Sequence, residues 1–136
     1  MASVKKFEDL EIWQLARELV KDVYKLTQKG GFSKDYGLKD QIRRSSVSVM
    51  NNISEGFESR TTKRFINYLG HAKGSCGETR SISYIALDCK YITESEFQML
   101  FDRCTTISKK TQRLISYLEG YGSNDRIKDV VVNYGT

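Results

Sequence analysis

One histidine and three cysteines are the side chains of this 136-residue sequence best suited to attack, ligation or proton transfer. His71 has no companion histidine. Projected at 100° per residue, it falls on the polar side of its segment beside Arg64 and Glu78, as a surface or interface group does. Cys76, Cys89 and Cys104 are odd in number and sparse, a poor disulfide framework without the close pairing of a zinc site. Cys76 and Cys104 lie on apolar faces and read as small buried hydrophobes. Gly74-Ser75-Cys76-Gly77 resembles a nucleophile loop, but it sits inside a helical pattern without the strand–turn–helix context that such a loop needs. The ExxH spacing of di-iron bundles and the glycine-rich phosphate loops are absent. The expectation is a protein that is not an enzyme, with no catalytic residue, no metal and no cofactor.

The positive charge is more informative. The chain carries +5 with a pI near 9.1. Between Lys39 and Lys73 seven basic residues face three acids, so +4 of that excess lies in one central segment. Within a helix, Lys73 and Arg80 share one stripe seven residues apart, and Arg64 and His71 share another. Such a surface either solubilises the protein or, acting together, displaces counterions from a polyanion. Most aromatics project inward, so base-stacking readout of single strands is not expected, and backbone or shape recognition is.

These groups need elements to hold them. Ile12, Ala16, Leu19, Val23 and Leu26 repeat at 4-3-4-3 spacing and predict a first helix over 8–28, ended by Lys29-Gly30-Gly31. Trp13, Val20 and Tyr24 widen its apolar stripe. Ser33 is the expected N-cap of a second helix reaching Glu55 and stopped by Gly56, with Leu38, Ile42, Ser45, Ser46, Val49 and Ile53 inward. A third helix over 62–91 contains Gly70, Gly74 and Gly77, each costing about 0.5–1 kcal/mol relative to alanine, which close helix or ligand contact would explain. Thr93 and Glu96 form a capping box opening a fourth helix to Glu119, with Phe97, Leu100, Cys104, Ile107, Thr111, Leu114 and Leu118 inward.

The expected fold is therefore all-α: an antiparallel up-down-up-down four-helix bundle over residues 1–120. Residues 121–136 form a C-terminal tail, disordered or docked on a neighbouring subunit, with a β-prone run from Asp129 to Tyr134. The charged N-terminus lacks a secretory core, and no apolar run is long enough to span a membrane. Together with the free thiols this predicts a cytoplasmic protein without membrane association. Val47 and Met50, on a mixed flank of the second helix, join Trp13, Val20 and Tyr24 as the expected oligomer interface.

Three runs carry a family pattern: Phe7-Glu8-Asp9-Leu10-Glu11-Ile12-Trp13-Gln14-Leu15-Ala16, the central stretch from Gln41-Ile42-Arg43-Arg44-Ser45-Ser46 to Asn51-Asn52-Ile53-Ser54-Glu55-Gly56, and Phe65-Ile66-Asn67-Tyr68-Leu69 through Gly74-Ser75-Cys76-Gly77-Glu78. Over roughly residues 5 to 120 the chain resembles the bacterial four-helix-bundle family named S23 ribosomal protein, whose members include proteins encoded in intervening sequences of 23S ribosomal RNA genes. The resemblance implies an antiparallel bundle and a ring-shaped homo-oligomer, a pentamer. It extends to the accessory variability determinant of diversity-generating retroelements, a basic pentameric barrel that works with a reverse transcriptase and RNA. By that likeness Arg43, Arg44, Arg60, Lys63, Arg64, Lys73 and Arg80 are the expected nucleic-acid contacts, RNA more than DNA. Many members carry proline where this chain has Met50, which predicts a straighter second helix here. The competing expectation is a protein-interaction scaffold that takes a protein partner and has no direct nucleic-acid role.

Overall fold

The computed structural model describes residues 4–122, and the β-prone run of the tail lies outside them. Four long helices dominate: α1 (Glu11–Leu26), α3 (Tyr36–Glu58), α4 (Thr62–Asp88) and α5 (Glu94–Leu118), with a short α2 (Gly30–Lys34) between the first two. Each long helix packs on two others, in the cyclic order α1, α3, α4, α5 and back to α1. The result is an antiparallel all-α bundle, as the heptad-like spacing predicts. Ile12, Ala16, Leu19, Val23 and Leu26 are all buried, as are Leu38, Ile42, Val49 and Ile53 facing them. Ile82 and Ile115, absent from the predicted faces, are also buried.

Several boundaries differ from the sequence-based expectation, each for a local reason. The first helix does not begin at Glu8: a 3-10 turn over Phe7–Asp9 precedes an extended Leu10, whose buried side chain joins the core. Gly30-Gly31 does not simply end α1 but opens α2, with Gly30 at φ +50, a left-handed conformation that glycine adopts without penalty. The N-cap of α3 is Asp35 rather than Ser33; its carboxylate accepts from the Leu38 amide at 3.1 Å and from the Tyr91 hydroxyl at 3.0 Å. A carboxylate at that end also complements the helix dipole.

Gly56 is not a stop. α3 continues to Glu58, and a Cβ at position 56 would lie 2.7 Å from Tyr68 Cβ and 2.9 Å from Phe65 Cδ1. Glycine there permits the close crossing of α3 and α4. The three glycines within α4 have no such cause, because nothing approaches within 4 Å of a Cβ built at Gly70, Gly74 or Gly77. α4 nevertheless runs unbroken to Asp88. It ends there, short of Tyr91, in a Schellman turn: the Tyr91 amide donates to Ala86 O, the Lys90 amide donates to Leu87 O, and Lys90 takes φ 61. The expected Thr93–Glu96 capping box is formed in both directions, at 2.9 and 3.0 Å.

A polar layer sets the register of α3 against α4. Ser48 and Ser75 share a 2.9 Å hydrogen bond, and the Thr79 hydroxyl donates to Ser45 Oγ at 2.8 Å in the buried centre. Small hydroxyl side chains let the two backbones approach, and their pairing removes the cost of burying them.

Candidate nucleic-acid interface

The register just described places the basic residues. Position 79 of α4 lies beside position 45 of α3. In this antiparallel register Arg43 and Arg44 are therefore roughly 25 Å along the bundle from Arg64, at 1.5 Å per residue. The seven expected contact residues form three groups rather than one patch.

Arg43 is committed to the fold. Its Nε donates to Thr27 Oγ1 at 2.8 Å, and its guanidinium lies 4.2 Å from the centre of the Tyr24 ring. Thr27 in turn donates to the Val23 carbonyl, so Arg43 fastens the C-terminal turn of α1 to α3. Arg44 is exposed, but its Nε meets Asp40 at 2.8 Å and its charge is locally balanced. Neither is as available to an anion as sequence alone implies.

Arg60, Lys63 and Arg64 surround the start of α4, all exposed. The first turn of that helix holds no acid, and Thr61 is the N-cap, accepting from the Arg64 amide at 3.3 Å. Unpaired amides and the dipole make a helix start positive, and the cations add to it. Arg64 also lines a shallow depression of about 250 Å³ with Asn67, Tyr68 and His71, which brings together the second stripe of the sequence pattern.

Lys73 and Arg80 lie on the other flank of α4, toward α5. Lys73 Nζ donates to Gln112 Oε1, and Arg80 sits 5.3 Å from the Phe101 ring centre. Together they border an open cleft of about 310 Å³ floored by Cys76 and Cys104 and edged by Thr105, Ser108 and Lys109 of α5. Burial pushes both thiols up to about 12; for Cys76 the neighbouring Cys104 adds to this, and Arg80 and Lys73 oppose it. They are un-ionised at neutral pH and unsuited to nucleophilic work. The α5 contributors escape sequence reasoning because no motif marks them. The 105–108–109–112 spacing beside the core positions is the signal that would have placed them on one edge.

The residues expected at an oligomer interface are spread over two helices. Trp13 and Met50 are partly buried against the core, and Val20 and Val47 are half-buried. Trp13 packs edge-on against Phe7 at 5.2 Å, while Tyr24 is occupied by Arg43. Most of the described aromatics are buried or partly buried, as expected; Tyr24, Tyr36, Tyr84 and Tyr121 are exposed. Among the described residues no helix is long and apolar enough to cross a membrane.

The comparisons with known proteins fit this architecture. The model of a family described as 23S rRNA-intervening sequence protein matches residues 8–113. The chain belongs to that family. A solved structure from Bacteroides thetaiotaomicron, a protein with unknown function from the S23 ribosomal protein family, superposes with a TM-score of 0.70 at 24% sequence identity. The match covers 76% of this chain and 97% of that one, and it shows a shared fold. Among curated proteins none matches. This 23S rRNA-intervening sequence family member thus carries the central basic groups of its sequence on α3, at the start of α4 and along α4, around a bundle fold shared with that structure.

Proposed function

We propose that this chain is a non-enzymatic, oligomeric bundle that associates with nucleic acid, RNA in preference to DNA, through the cations of α4. One observation carries the reading: Arg64, Lys73 and Arg80 are distributed along a single unbroken helix, with Arg60 and Lys63 at its positive end. Arg64 and Arg80 are separated by roughly 24 Å at helical rise, about seven base steps of 3.4 Å. Cations spread over that length, on two flanks of one helix, suit an extended polyanion better than a small metabolite. The family description, with its reference to 23S rRNA, inclines the choice toward RNA.

The assembly in this reading is a ring of identical subunits, five in number, in the cytoplasm, akin to the accessory variability determinant of diversity-generating retroelements. Light scattering of the purified protein measures the subunit number, and its absorbance ratio detects co-purifying nucleic acid.

The direct test is anisotropy of labelled RNA as salt is raised. The logarithm of affinity falls against the logarithm of salt with a slope of about −0.7 per phosphate neutralised on a single strand. Charge reversal at Arg64 and Lys73 together weakens binding and flattens that slope. Affinity indifferent to both salt and reversal defeats the proposal. The rival scaffold reading draws on exposed Tyr36, Tyr84 and Ile85. It would be favoured by a defined protein partner whose capture survives nuclease.

A further inference from the structure

The cleft between α4 and α5 has features that a merely solvated charged face does not need. Three cationic side chains edge it: Lys73 and Arg80 from α4, Lys109 from α5. Two hydroxyl side chains, Thr105 and Ser108, edge it as well, and no acid does. Asp102, one turn before Thr105, instead borders a separate depression with Leu15 and Arg103, on the side toward α1. Gly77 borders the cleft, and a Cβ there would meet nothing within 4 Å, so the helix backbone itself forms an open wall. The Arg80 guanidinium is held at 5.3 Å from the Phe101 ring and Lys73 by Gln112, which fixes two of the cations in advance of any ligand. Preset donors cost less ordering on binding.

From this juxtaposition we infer that the α4–α5 cleft is a phosphate-binding site, taking a phosphate group of a nucleic-acid backbone. The inference rests on the nucleic-acid reading for the source of the phosphate, but not for the site. Arg80, with its planar fork of donors, and Lys73 and Lys109, as point charges, neutralise the phosphate oxygens; Ser108 adds a hydroxyl donor, while the Thr105 hydroxyl donates to the Phe101 carbonyl at 3.0 Å and only lines the edge. Gly77 matters because any side chain there would occupy the space above the buried Cys76 and Cys104. The site lies on the opposite flank of α4 from the Arg64–His71 depression, so a strand bound to both must pass over the glycine-bearing outer face of α4.

The test titrates inorganic phosphate, then a single-stranded oligouridylate, into the full-length protein, followed by amide NMR shifts and by anisotropy. Gly77→Leu fills the cleft without altering any charge, and Gly74→Leu places the same bulk outside it. Thermal melting checks that both fold; the pair Arg80→Gln and Lys109→Gln tests the site without relying on either. Phosphate should shift the amides of Gly77, Thr105 and Ser108. Its affinity should fall about tenfold in Gly77→Leu and in each glutamine variant, and stay unchanged in Gly74→Leu. Phosphate shifts confined to the Arg64–His71 flank, or a Gly77→Leu protein that binds phosphate like wild type, overturn the inference. The two proposals fail separately. Phosphate seated in the cleft of a protein that ignores the oligouridylate keeps the site and removes the nucleic-acid reading. RNA binding that survives Gly77→Leu but not Arg64→Glu keeps the nucleic-acid reading and removes the cleft from it.

Discussion

Thr79 donates its hydroxyl proton to Ser45 Oγ at 2.8 Å in the middle of the α3–α4 contact, and both side chains are almost wholly shielded from water. Thr79 Oγ1 also lies 2.9 Å from the Ser75 carbonyl, and Ser45 Oγ lies 3.2 Å from the Ile42 carbonyl. The pair is a local network rather than an isolated bond. Thr79→Val keeps the volume and removes the hydroxyl, and should cost about 1–2 kcal/mol. The double variant with Ser45→Ala should cost less than the two singles together, because one removal already strands the other partner. Denaturant unfolding of the four proteins measures the coupling.

The glycines of α3 and α4 should respond in opposite directions to alanine. At Gly56 the new methyl would meet Tyr68 Cβ and the Phe65 ring inside van der Waals distance. The overpacking costs about 1–3 kcal/mol and outweighs the gain in helix propensity. At Gly74 the methyl enters open space, so Gly74→Ala should stabilise the bundle by about 0.5–1 kcal/mol. Denaturation midpoints moving the same way for both would contradict the packing described at Gly56.

Lys90 occupies the left-handed position of the Schellman turn closing α4. Glycine is the residue without a Cβ penalty there. Lys90→Gly should raise stability by up to about 1 kcal/mol, while Lys90→Val, which is β-branched, should lower it. Thermal melts of the two variants against wild type read the sign.

The thiols should divide by exposure. Cys89 is exposed, whereas Cys76 and Cys104 are buried and their thiols are held up to about 12 from an ordinary 9.0. A thiol-specific disulfide reagent at mild alkaline pH should modify Cys89 alone in the folded protein, and all three cysteines after unfolding. The linkage has a definite sign. Because the folded state holds these protons more tightly than the unfolded chain, the two cysteines leave stability unchanged below pH 9 and erode it as pH rises from there toward about 12. Replacing both with alanine should flatten that alkaline decline, measured by denaturant unfolding across the range.

The sequence by itself determined the helical class, the antiparallel bundle and most of the core. The 3/4 spacing from Ile12 to Leu26 and from Phe97 to Leu118 leaves each helix with a stripe that only other helices can cover. The Thr93–Glu96 box was equally legible, since a cap depends on residues three apart. Local rules misread Gly56, whose reason is a neighbour on α4, and Ser33, displaced by an Asp35 that also receives the Tyr91 hydroxyl 56 residues away. The basic residues show the same division. Their number and helical stripes are sequence properties, but which charges remain available depends on partners brought from afar. Arg43 is drawn to Tyr24 and Thr27, and Lys73 and Arg80 are joined by Lys109 across a cleft. Spacing along one helix fixes what shares a face; only the packing of two helices decides what stands opposite.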